Sequence, residues 1–149
     1  SGRTVYGGGG IMPDIFVSMD TSALYAYYNR LQRNSIINNF TLEYVDQNRE
    51  QLVKQYPDFS QFNNKFQIGD EIIEKIVALG EKDGIERDQE SLNFTSGLIK
   101  KEIKAVIARD IYSRDQFYQI FNQDDKTILK ALDILKNQNQ FRSLLVKND

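Results

Sequence analysis

The 149-residue chain contains no cysteine and no histidine. Without cysteine it has no disulfide framework, no zinc–thiolate site and no thiol nucleophile, although this does not fix the redox compartment. Without histidine it has no Ser-His-Asp triad, no imidazole base poised near neutral pH and no imidazole metal ligand. Proline is scarce, with Pro13 and Pro57 the two instances. No apolar run approaches the roughly 18 residues of a membrane span. Neither sign of charge dominates: 19 Lys and Arg against 21 Asp and Glu leave a net charge of −2, which gives no electrostatic footprint for nucleic acid. No signal peptide is visible, and the chain opens on Ser1 rather than Met, so it is expected to be a piece of a longer protein.

What is present is ordinary globular material, 40% hydrophobic and 27% charged, enough to expect a buried core. The size suits one domain, or a small domain with an attached fragment. One segment stands apart. Arg3–Val17 holds four consecutive glycines, Gly7 to Gly10, together with Pro13. Its β-branched residues Val5, Ile15 and Val17 suggest two short strands, Arg3–Tyr6 and Ile11–Val17, around a glycine turn. Everything after Asp20 reads as amphipathic helix.

Asp20, Thr21 and Ser22 have N-cap chemistry ahead of Leu24, Tyr27, Tyr28 and Leu31, which predicts a helix to about Arg33. A second helix is expected from near Ser35, carrying Ile37, Phe40, Leu42, Val45, Leu52 and Val53 and stopping before Pro57. Ser60–Phe66 predicts a short helix burying Phe59, Phe62 and Phe66. Asp70 is expected to cap a fourth helix, with Gly84 its stop. Asp88–Asn93 reads as one or two turns, after which Ser96 caps a helix through Ile99, Ile103, Val106, Ile107 and Ile111. Ser113 and Gln116 have capping-box spacing. Asp124 or Asp125 caps a further helix, and Phe141, Leu144 and Leu145 form a last turn. No repeat of 20–50 residues is visible.

Each chemical signal has a plain structural reading beside it. The glycine run leads into extended chain rather than a helix, with no Lys-Ser or Lys-Thr after it, so a hairpin turn is preferred to a phosphate loop. Leu79–Glu90 places Asp83, Gly84 and Glu90 at three positions of a calcium-loop template. Its first position is Leu79, so a helix end followed by a polar turn is preferred. Ser96 and Lys100 have the spacing of a Ser-Lys pair, but Ser96 reads as a cap and Lys100 as a surface lysine. Lys100, Lys101 and Lys104, interrupted by Glu102, read as a solvated face. Glu43 with Asp46, and Asp124 with Asp125, read as surface carboxylates. Tyr25, Tyr27 and Tyr28 read as packing rather than a binding platform. The residues alone therefore give a mainly α, irregular multi-helix domain preceded by a short β-hairpin, with no catalytic, cofactor-binding or metal-ligating residue.

The run GRTVYGGGGIMPDIFV resembles a late stretch of the protease core in the C-terminal processing (tail-specific) serine peptidases, in the versions found in Bacteroidetes-type envelope bacteria. The matching residues are Gly2, Arg3, Gly8, Gly10, Ile11, Pro13, Asp14, Ile15 and Val17. The resemblance covers about a tenth of the chain. It implies that residues 1–19 are the last hairpin of a protease core and residues 20–149 a helical C-terminal domain. It implies further that the catalytic serine and lysine, and a PDZ domain gating substrate access, lie upstream, so no functional residue maps onto this chain. The implied partners are that core and PDZ domain, the peptide substrates of the parent and a second copy in a homodimer. The implied location is the periplasm or cell envelope. An independent helical protein-interaction module is the competing reading.

Overall fold

The computed structural model describes Pro13, residues 15–18 and residues 22–145. Among these residues there are helices and no strands. Ser22 caps a single 3₁₀ turn at Ala23–Tyr25, which leads into α1 (Ala26–Arg33). Then follow α2 (Ile36–Gln55), α3 (Phe59–Lys65), α4 (Asp70–Lys82), α5 (Gln89–Ile111), α6 (Arg114–Phe121), α7 (Lys126–Lys136) and α8 (Gln138–Leu145). The expected hairpin falls mostly outside the described residues. Ile15–Ser18 are irregular chain rather than strand.

The chain divides into two compact units. One is residues 21–123, and the other is residues 1–20 together with 124–149. The first unit, the body, is built around α5, against which α1, α2, α4 and α6 pack. The sequence of α5 explains its central place. Ala105, Val106, Ile107 and Ala108 are four consecutive buried residues, a run apolar on every side, as a helix surrounded by others requires. Ile37, Val45, Ile76, Ile99, Ile103 and Ile107 complete the core with Tyr27 and Leu31.

The ends of the helices follow their caps. Asp58 accepts from the Gln61 amide at 2.9 Å and starts α3. At the end of α4, Gly84 takes φ +78°, the left-handed conformation that glycine adopts without a Cβ penalty. The Ile85 amide then donates back to the Gly80 carbonyl at 2.8 Å and the Gly84 amide to Glu81 at 3.1 Å. This is a Schellman closure, and its hydrophobic partner Ile85 is buried.

Three boundaries differ from the sequence expectation. Asp88, not Ser96, caps α5, accepting from the Ser91 amide at 3.0 Å. The two pieces expected at Asp88–Asn93 and from Ser96 are one 23-residue helix, because Leu92, Thr95 and Ile99 carry one buried stripe across the join. Gly69 is the cap residue of α4, and Asp70 is its first helical residue. Val53 is 47% exposed, because at the end of α2 Leu52 turns inward in its place.

The second unit contains a helical hairpin, α7 packed on α8. Asp125 caps α7, accepting from the amides of Thr127 at 2.8 Å and Ile128 at 3.0 Å.

Candidate functional site

The chemically distinctive place in the body lies between α1 and α5. Glu102 is 8% exposed. Its Oε2 accepts from the Tyr28 hydroxyl at 3.0 Å and from the Gln32 side-chain amide. The same Gln32 amide donates to the Tyr28 oxygen at 2.8 Å. The three side chains close a triangle, and among the described residues no cation takes part in it. Burial raises the Glu102 pKa above the ordinary glutamate value, although the bonds from Gln32 and Tyr28 oppose this. Burial also raises that of Tyr28, and the neighbouring Glu102 charge adds to it. Burial thus works against the charged form of both the carboxyl and the phenol, while the two hydrogen bonds to Oε2 favour the carboxylate.

About three turns earlier on α5, Ser91 ties the entry of α1 to that helix. Its hydroxyl accepts from the Tyr27 amide at 3.3 Å and donates to the Leu24 carbonyl. The Tyr27 hydroxyl is buried with no hydrogen-bond partner among the described residues, and the Arg30 guanidinium stands 5.9 Å from the centre of its ring. Tyr25 meets Phe94 edge to face at 5.3 Å. The tyrosines of the first helix are thus packing elements.

The Ser96–Lys100 spacing does not produce a dyad. Ser96 donates to the Asn93 carbonyl at 3.3 Å, one turn back. Lys100 reaches Asp70 of α4 at 2.6 Å, so its ammonium is engaged there and not with the Ser96 hydroxyl. The remaining lysines of the expected solvated face are strapped to other helices. Lys104 donates to the Asn63 carbonyl of α3 at 2.7 Å and lies 5.9 Å from the Phe62 ring centre, with burial lowering its pKa. Lys101 stands 5.6 Å from the Phe121 ring centre on α6. Long lysine stems lie along apolar surface while their ammonium groups reach polar partners, so these lysines are not the freely solvated face that their spacing suggests.

The calcium-template residues lie on separate elements. Asp83 ends α4, Gly84 makes the turn, and Glu90 lies in the first turn of α5. Among the described residues no group of three or more carboxylates is placed to hold a metal ion. Glu43 accepts from Gln47 at 3.0 Å, and Asp46 lies 3.6 Å from Arg49.

A groove of about 360 Å³ runs between α2 and α4, lined by Phe40, Tyr44 and Leu79 with Lys75 and Lys82 at its rim. An aromatic cluster under α3 fixes the other end of the body. Phe62 stacks on Phe66 at 4.7 Å and meets Tyr56 and Tyr112 edge to face. The Tyr112 hydroxyl donates to the Tyr56 carbonyl at 2.6 Å.

Residues 27–113 match the model of a family of unknown function, DUF8443. The chain belongs to this family. No curated protein and no solved structure matches it. The DUF8443 span runs from the first buried tyrosine of α1 to the cap of α6, so it takes in the Glu102 cluster, the groove and the aromatic cluster and leaves out α6, α7 and α8. The sequence reading missed Glu102. The signal was available: Thr95, Ile99, Glu102 and Val106 recur at three- and four-residue steps, which places the carboxylate on the buried stripe of α5.

Proposed function

We propose that this chain is the C-terminal helical domain of a tail-specific serine peptidase, following the catalytic core in a longer polypeptide and carrying no catalytic residue of its own. In the parent, which resides in the periplasm or cell envelope, the domain braces the core, supports self-association or helps admit substrate tails. One observation carries the reading: the Gly2–Val17 run resembles the end of a peptidase core, and a wholly different, helical body follows it. The engagement of Lys100 with Asp70 supports the claim that catalysis resides elsewhere.

The test joins sequence and assay. The upstream sequence is expected to hold a serine, a lysine about two dozen residues beyond it, and a PDZ-like stretch before them. The longer protein is expected to cut an unstructured peptide ending in apolar residues, and this chain alone to leave it intact. Cleavage by this chain that disappears in Ser96→Ala would overturn the proposal, as would an upstream sequence without the serine and lysine. A second reading, an independent interaction module, is favoured by the apolar surface of α7. Partner binding by the chain in the absence of any upstream peptidase would support that reading instead.

A further inference from the structure

The apolar residues of α7 cover more of its circumference than the chain buries. Ile134 is 8% exposed, while Ile128, Leu129, Leu132 and Leu135 are 36%, 49%, 46% and 57% exposed. At about 100° per residue, these four form one patch centred on Leu132, with its neighbours at i−4, i−3 and i+3. Lys130 and Asp133 pair with each other at 3.1 Å, with Asp133 bordering the patch one turn beyond Leu129. Phe141 of α8 is exposed as well, at 38%. Such a concentration of exposed large apolar side chains marks an interaction surface.

The order of residues along this face identifies its occupant. Asp125, Leu129, Leu132 and Lys136 fall at i, i+4, i+7 and i+11 and so share one stripe. The stripe has an acid at its N-terminal end, a base at its C-terminal end and two leucines between them. Reversed end to end, it complements itself. When a second copy lies antiparallel across it, Leu129 meets Leu132 of the other copy and Asp125 meets Lys136. The helix dipoles then also run in opposition. In a parallel pairing, Asp125 would face Asp125 and Lys136 would face Lys136. Lys136 is exposed and has no ion-pair partner among the described residues.

We infer that α7 is a self-association surface, pairing antiparallel with α7 of a second copy about a two-fold axis between Leu129 and Leu132. A two-fold contact of this kind uses the same patch on both chains and closes at the dimer. The inference does not depend on the peptidase reading, and its failure would leave that reading standing.

The test uses the whole chain. In a sedimentation concentration series the protein is expected to reach twice its 17.3 kDa mass. Leu132→Asp, an exposed substitution, is expected to weaken dimerisation roughly thirtyfold or more with the helical circular dichroism unchanged. Lys136→Glu is expected to weaken it less, and the effect to shrink in high salt. Because the chain has no cysteine, cross-linking reads the register directly. Leu129→Cys mixed with Leu132→Cys is expected to form a disulfide faster than Lys130→Cys does with itself. A 17.3 kDa species at every concentration overturns the inference, as does a dimer indifferent to Leu132→Asp or cross-linking no faster at 129 and 132 than at 130.

Discussion

The body and the α7–α8 hairpin are both made of amphipathic helices, yet they close their apolar faces to different degrees. In the body, α1 buries Tyr27, Tyr28 and Leu31, and α4 buries Ile72, Ile73, Ile76 and Val77. In the hairpin, α7 carries as strong an apolar pattern and buries Ile134, while Leu129, Leu132 and Leu135 stand about half exposed. The difference lies in what surrounds each helix. The body helices have α5 as a common partner, and the family match over residues 27–113 covers α2 to α5 and most of α1 but not α6. An amphipathic sequence therefore specifies that a face will be covered. It leaves open whether the cover comes from the same chain.

The contrast is sharpest at single large side chains. Phe62 is fully buried, stacked on Phe66 at 4.7 Å and met by Tyr56 and Tyr112. Phe62→Ala is expected to destabilise the body by about 3–5 kcal/mol, the lost transfer energy plus the cavity left behind. Leu135→Ala, at 57% exposure in the native chain, is expected to cost about 0.5 kcal/mol or less. Urea unfolding of the dilute protein measures both. Equal losses would mean that the two regions are closed to the same degree.

The body also differs in holding a carboxylate inside its packing. Glu102→Ala would leave the Tyr28 hydroxyl and the Gln32 amide without their shared acceptor, a loss of about 2 kcal/mol. The pH dependence separates this role from simple packing. Burial raises the folded-state pKa of Glu102 above the ordinary value of 4.5, so the folded state holds its proton more tightly than the unfolded chain does. That contribution is fully present below about pH 4.5 and is lost as pH rises through the raised folded value. Glu102→Gln keeps an amide in place of the acid and removes the titration. Its stability is expected to lack this falling limb, so unfolding curves measured across the window should diverge from the native chain. Parallel curves would show that Glu102 is solvated.

Much of the body was legible in the sequence because its signals are local. Ser22 and Ser113 cap where their chemistry predicts, Gly84 takes the positive φ of a helix stop, and Tyr27, Phe62 and Ile99 are buried as their spacing suggests. What escaped depends on neighbours distant in sequence. Glu102 looked like a break in a basic surface run, and its burial becomes intelligible only with Tyr28 and Gln32, 74 and 70 residues away. Lys100 and Lys104 looked solvated until Asp70 and Asn63 came within reach. Asp88 was passed over as the start of α5 because the polar turn Gln89–Asn93 masks a stripe that continues through it. The openness of α7 could not be read from its periodicity, which is as regular as that of α4.

A matched pair of cap substitutions asks whether the two regions melt as one. Asp125 and Asp88 perform the same local task, each accepting a backbone amide at the first turn of its helix, and replacing either by alanine costs about 1 kcal/mol of helix stability. The consequences are expected to differ. Asp88→Ala weakens α5, on which the body is assembled, so the global urea midpoint should fall. Asp125→Ala weakens α7, whose apolar face is largely unclosed. Amide exchange over residues 126–136 should then quicken about fivefold, with exchange over residues 89–111 unchanged. Should Asp125→Ala accelerate exchange in α5 equally, the hairpin and the body would belong to one cooperative unit, and the distinction between a closed body and an open hairpin would fail as a statement about stability.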